Sequence, residues 1–143
     1  MLKNIDPLLT GSLLSLLDRM GHGDLLGVVD RNFPAHRYGA PVIDFRGVDT
    51  GAAAQAILSV FPLDGFVDEA VHRMEIDGSP DEITVATERL QKAADDAEGR
   101  HVGMVRIGNT AFKRWGMSPA LADPMQIVSH IMRLDLKHPG LAG

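Results

Sequence analysis

A chain of 143 residues, 45% hydrophobic and 23% charged, is long enough for a core and has an ordinary globular composition. Its net charge of −5, from 14 basic and 19 acidic residues with the basic groups dispersed, leaves no electrostatic footprint for nucleic acid. With no cysteine it can form neither disulfides nor a thiolate site, and no apolar run approaches the roughly eighteen residues of a membrane helix.

Thr10 is placed to cap a helix over Gly11–Met20, in which Leu13, Leu14, Leu16, Leu17 and Met20 form an apolar stripe. Gly21 then ends that helix, since glycine accepts the left-handed conformation. Leu25–Asp30 reads as a buried strand, residues 31–40 as a polar loop rich in Pro and Gly, and Pro41–Phe45 as a second strand. Asp49 or Thr50 can cap a helix over Ala52–Val60, which Phe61-Pro-Leu-Asp-Gly65 breaks. Phe66–Val67 begins an extended piece, Val71–Ile76 suits a third strand, and Asp77-Gly-Ser-Pro80 is a turn. Asp81–Ala97 follows as an amphipathic helix with Ile83, Val85, Ala86, Leu90 and Ala94 toward the core, closed by Gly99. Val102–Ile107 is a fourth strand, and Asn109 can cap a short helix, Ala111–Trp115. Met125–Leu136, with Ile127, Val128, Ile131, Met132 and Leu134, fits a helix better than a strand. Strands alternating with helices imply an α/β fold: a single layered domain over residues 1–143 with a mostly parallel sheet flanked by helices. With no basic n-region leading into an apolar stretch, a cytoplasmic location is expected.

Chemistry concentrates in Met20-Gly-His-Gly-Asp24, then Asp30, then Asn32-Phe-Pro-Ala-His36. An imidazole moves protons in either direction near neutral pH, and Gly21 and Gly23 permit close approach of a ligand to His22. A histidine at a helix C-terminus can equally serve the last carbonyls. Asp30, at the end of the first strand, can bind hydroxyls or orient the imidazole, or simply bond its own backbone in a turn. Asp24 has the plainer role of holding the loop, and His36 either lines a pocket or lies on a surface loop. The same four groups could be read as a zinc or manganese site, but no His-x-x-x-His pair exists and no spacing is diagnostic.

These motifs resemble the family of D-ribose pyranase and L-fucose mutarotase, closer to the fucose branch. Met1-Leu-Lys, Asp6-Pro-Leu-Leu-Thr10, the His-Gly-Asp and Asn-Phe-Pro-Ala pieces in fixed order, Ala40-Pro-Val-Ile43, Phe61-Pro-Leu-Asp64 and Arg73-Met-Glu-Ile76 carry the likeness. It covers residues 1–76 and thins out through 77–112. The resemblance implies a layered α/β fold and a cofactor-independent sugar mutarotase that interconverts anomers or ring forms by acid/base proton transfer. His22 would be catalytic. Asp30, Asn109, Met74 and His36 would contact a monosaccharide such as L-fucose, Met74 being better suited to plain core packing. A homo-oligomer is expected, with no cofactor, metal, nucleic acid or membrane.

The likeness departs at Asn109, at Lys113-Arg-Trp115, where the fucose branch tends to have Tyr-Glu-Arg, and at the C-terminus. Asn109 stands where the family has an arginine or histidine; it can hydrogen-bond a hydroxyl but brings no charge. The family's closing strand with Tyr-Gly-Asn or Tyr-Ala-Asn has no counterpart, since Tyr38 is the single tyrosine and the chain runs Met125 to His138 without one. A non-catalytic monosaccharide-binding relative is therefore the alternative reading.

Overall fold

The computed structural model describes residues 1–22, 24–29, 35–38, 41–45, 47–66, 68–76, 78–107 and 128–134, with the backbone alone for Arg37, Tyr38, Ile107 and 128–134. Helix α1 (Gly11–Asp18) starts where expected, because the Thr10 hydroxyl accepts the Leu13 amide at 3.2 Å. That satisfies one of the donors a helix N-terminus leaves without a partner. Its end differs from expectation. Arg19 stays right-handed as the C-cap, and Gly21 is not among the residues of positive φ. The amides of Arg19 and Met20 return to the carbonyls of Ser15 and Leu17, so the last turn tightens without a left-handed residue.

Strand β1 (Leu25–Val29) is followed by a one-turn 3₁₀ helix at Ala35–Tyr38 and by β2 (Val42–Phe45). Helix α2 (Thr50–Leu58) is capped by Asp49, whose Oδ1 accepts the Ala52 amide at 2.8 Å while Oδ2 receives Arg89 Nη1 at 3.1 Å. Asp49→Ala should cost about 1 kcal/mol, mostly through the lost cap, and chemical denaturation would read it.

Strand β3 (Val71–Met74) stops short of the expected Ile76, which forms an isolated bridge to Ser79 in the turn where Gly78 takes a φ of 80°. Helix α3 (Val85–Glu98) begins four residues later than expected, since the cap is Thr84, accepting the Thr87 amide at 3.1 Å. Two expected core positions of this helix are on the surface. Ile83 and Val85 are 56% and 52% exposed, because they fall before and at the helix start, while Ala86, Ala93 and Ala94 are buried. Gly99 closes α3 as expected, in the left-handed conformation, with its amide on Asp95.

Strands β4 (Met104–Ile107) and β5 (Val128–Leu134) complete the set among the described residues. The expectation of a helix over Met125–Leu136 is overturned at β5. It is the middle strand of a parallel sheet ordered β1-β5-β2, with Val28 opposite Met132 and Phe45 opposite Leu134. Strands with parallel neighbours on both sides carry near-continuous apolar runs rather than alternation, so periodicity did not separate strand from helix. β3 and β4 form a second parallel sheet, joined through α3 as a βαβ unit. The expected helix Ala111–Trp115 lies outside the described residues.

One core cluster joins Leu13, Leu16 and Leu17 of α1 to Phe45 of β2 and to Ala53, Ala56 and Ile57 of α2, with Leu26 and Val28 of β1 packed against it. Both helices thus share one face of the first sheet. A second cluster places Ala94 of α3 against Val71 and Val102. No helix of the described residues is long and apolar enough to cross a membrane.

Candidate functional site

His22 stands on the turn Gly21–Asp24, between α1 and β1. Asp24 ties both ends of the turn: its amide donates to the Gly21 carbonyl at 3.0 Å, and its Oδ2 accepts the Gly21 amide at 2.9 Å. That is the loop-holding role weighed for Asp24 from the sequence. Met20, next to the turn, packs on the first core cluster.

The neighbours of His22 come from the segment after α2. The Phe61 amide returns to the Ile57 carbonyl at 2.9 Å, and its side chain packs on the same cluster as Met20. The Leu63 amide donates to Glu98 Oε1, at the end of α3, at 2.9 Å. So held, Asp64 Oδ1 accepts the Phe66 amide at 2.9 Å, an Asx turn. Asp64 Oδ2 lies 3.3 Å from His22 Nδ1, and the Phe66 ring meets the imidazole edge-to-face at 5.4 Å between centroids. The His22 side chain is 77% exposed and that of Asp64 29%, so a ligand can reach the imidazole while the carboxylate is partly shielded. Phe66, 89% exposed, is a large apolar surface beside the imidazole. The Phe66 amide first, and then His22, hold the Asp64 carboxyl below the usual carboxylate range, so it is ionised at neutral pH.

Sequence reasoning singled out neither Asp64 nor Phe66 for the site. Phe61-Pro-Leu-Asp-Gly65 signalled a helix break and contributed to the family likeness but pointed to no role at the site, and no spacing rule brings a carboxylate 42 positions away onto an imidazole. Of the expected contacts, Asp30 and Asn109 lie outside the described residues. His36 is exposed on the 3₁₀ turn, and Met74 is half-buried at the end of β3, opposite Ile107. Among the described residues no hydrogen bond or ring contact joins either to His22. His22 also lies where β1 begins, whereas parallel sheets usually bind ligands beyond the carboxyl ends of their strands. Among the described residues no three histidines or carboxylates are grouped to hold a metal ion.

Two other titrating groups have different surroundings. Burial pushes the His72 imidazole down, with the charge of Glu69 opposing it. Asp95 on α3 accepts the Val102 amide at 2.8 Å and Gln91 Nε2 at 2.7 Å on Oδ1, and faces His101 Nδ1 with Oδ2. The Val102 amide leads in holding this carboxyl low. A depressed folded-state pKa stabilises above the unfolded value and is lost as pH falls through the folded one. The stability gap between the natural chain and Asp95→Asn should therefore be full at neutral pH and start to close below about pH 4, in denaturation followed across pH. A groove of about 630 Å³, lined by Arg73, Gln91, Lys92, Asp95 and Met104 among others, lies beside α3 and shares no residue with the His22 cluster.

Comparison with known proteins points the same way as the resemblance. Residues 3–120 match the model of the RbsD / FucU transport protein family. Among solved structures, the chain is similar to the protein Atu2016, a candidate sugar-binding protein, at 33% identity and a TM-score of 0.83, over 98% of this chain and 90% of that one. FucU from Bifidobacterium longum matches at 25% identity and a TM-score of 0.79, over 96% and 92% of the two chains. The fucose mutarotase from Streptococcus pneumoniae, solved with L-fucose, shares the fold at 22% identity and a TM-score of 0.78, over 95% and 90%.

Proposed function

Because this chain belongs to the RbsD / FucU family, we propose that it is a cofactor-independent mutarotase for a monosaccharide such as L-fucose, with residues 1–143 as one domain and His22 as the proton carrier. The observation that carries this reading is the exposed His22 imidazole, fixed between an ionised carboxylate and an aromatic ring within the family-matched region.

The chemistry asks for little more. The anomeric hydroxyl gives its proton to the imidazole as the C1–O5 bond breaks and C1 becomes a carbonyl. The ring oxygen takes up a proton, which the imidazolium can return. Rotation about C1–C2 and closure by the reverse steps give the other anomer. Both half-steps are proton transfers, so no cofactor or covalent intermediate is called for. Asp30 and Asn109 would hold sugar hydroxyls, with Met74 and His36 as further contacts, and the active form would be a homo-oligomer.

Non-catalytic monosaccharide binding is the second reading. It is favoured by the match to a candidate sugar-binding protein and by a closing strand without the tyrosine that the resemblance leads one to expect. Saturation-transfer proton NMR on the anomeric signals of L-fucose, D-ribose and related aldoses separates the two. Accelerated exchange with any of them supports the mutarotase. Sugar binding with unchanged exchange supports the binding protein.

A further inference from the structure

We propose that the Asp64–Gly65–Phe66 turn is the positioning element of His22: Asp64 selects the Nδ1–H tautomer and Phe66 restrains the ring, so that Nε2 is the nitrogen presented as proton acceptor. The catalytic consequence rests on the mutarotase reading; the tautomer does not.

The geometry is specific to one ring nitrogen. Asp64 Oδ2 lies 3.3 Å from Nδ1, and a carboxylate can only accept, so in neutral His22 the proton belongs on Nδ1. Asp64 is itself held, because its other oxygen accepts the Phe66 amide, which fixes the carboxylate plane relative to the turn. The edge-to-face contact at 5.4 Å puts the Phe66 ring against the imidazole and opposes the ring flip that would exchange the two nitrogens. Asp24, the carboxylate on His22's own turn, places Oδ2 on the Gly21 amide. A histidine side chain free in water favours Nε2–H, so Nδ1–H is a signature of this contact rather than a default. A base whose lone pair already points outward needs no tautomer change before it accepts a proton.

The test uses ¹⁵N-labelled full-length protein and two-bond proton–nitrogen spectra of the imidazoles at about pH 9, well above the ordinary histidine pKa of about 6.5. His22→Ala identifies the His22 signals among the six histidines. The natural chain is expected to show His22 as Nδ1–H. Asp64→Ala should shift it to Nε2–H, and so should Asp64→Asn, whose amide can donate to Nδ1. Phe66→Ala should keep Nδ1–H with line broadening. In the exchange assay Asp64→Asn should lower kcat about 10- to 100-fold with KM little changed. An Nε2–H signal in the natural chain, or no change in Asp64→Ala, overturns the positioning role. A tautomer shift with kcat unchanged overturns its catalytic consequence. If the natural chain accelerates no sugar, the mutarotase reading fails while the spectra still decide the tautomer.

Discussion

Replacing His22 with alanine is expected to slow anomer exchange by about 10²- to 10⁴-fold, the usual contribution of a positioned acid/base group. The fold should be untouched. The side chain is 77% exposed, and such surface substitutions usually change stability by no more than about 0.5 kcal/mol. Asp64 keeps the Phe66 amide when the imidazole goes, so its carboxylate is not left without a partner. Saturation-transfer NMR at saturating sugar, beside urea denaturation of both proteins, would measure the two effects separately. Equal exchange rates in the variant and the natural chain would remove His22 from the mechanism. A large loss of stability would show the turn to be structural.

The second large effect concerns the core. Leu13→Ala is expected to destabilise the fold by about 2–5 kcal/mol, a large share of the 5–15 kcal/mol typical of a domain. Leu13 is 1% exposed and belongs to the cluster where α1, α2 and β2 meet, so no solvent can fill the space its truncation leaves. Leu2→Ala makes the control. At 69% exposure Leu2 should change stability by less than about 0.5 kcal/mol in the same urea titration. Similar values for the two would mean that the cluster closes around the missing side chain. Because Met20 and Phe61 pack on this cluster, the turns bearing His22 and Asp64 draw their placement from the same burial.

Much of the fold is legible in the chain because local chemistry and tertiary demand coincide there. Thr10 and Asp49 are cap residues at true helix starts, and Gly99 sits at the one helix end, among the described residues, that takes a left-handed residue. The leucine stripe of α1 is the buried stripe, through Leu13, Leu16 and Leu17. Where the two diverge, reading fails. At β5 the apolar positions Val128, Ile131, Met132 and Leu134 satisfy a helical period as well as a central strand, and only the neighbours β1 and β2 decide. At the start of α3 the run of charges before Thr84 resembles a first helical turn, yet the hydroxyl nearer the apolar face captures the amide. The site divides in the same way. His22 announces itself by its flanking glycines, whereas Asp64 acquires meaning only once α2 and Glu98 bring its turn alongside.

The place of β5 between β1 and β2 also bears on how the chain is made. Leu26 and Val42 lie close in sequence, yet each strand hydrogen-bonds to a partner that leaves the ribosome much later. At about 5–20 residues per second, the roughly eighty residues from Phe45 to Val128 take about 4–16 s to synthesise. Through that interval the edges of β1 and β2 that will receive β5 have no native partner, in a nascent chain whose α1 and α2 can already begin to cluster. Unfilled strand edges are templates for pairing with other chains. Ribosome-bound chains should therefore engage holding chaperones, and chains released with Val128–Leu134 free to pair should let them go.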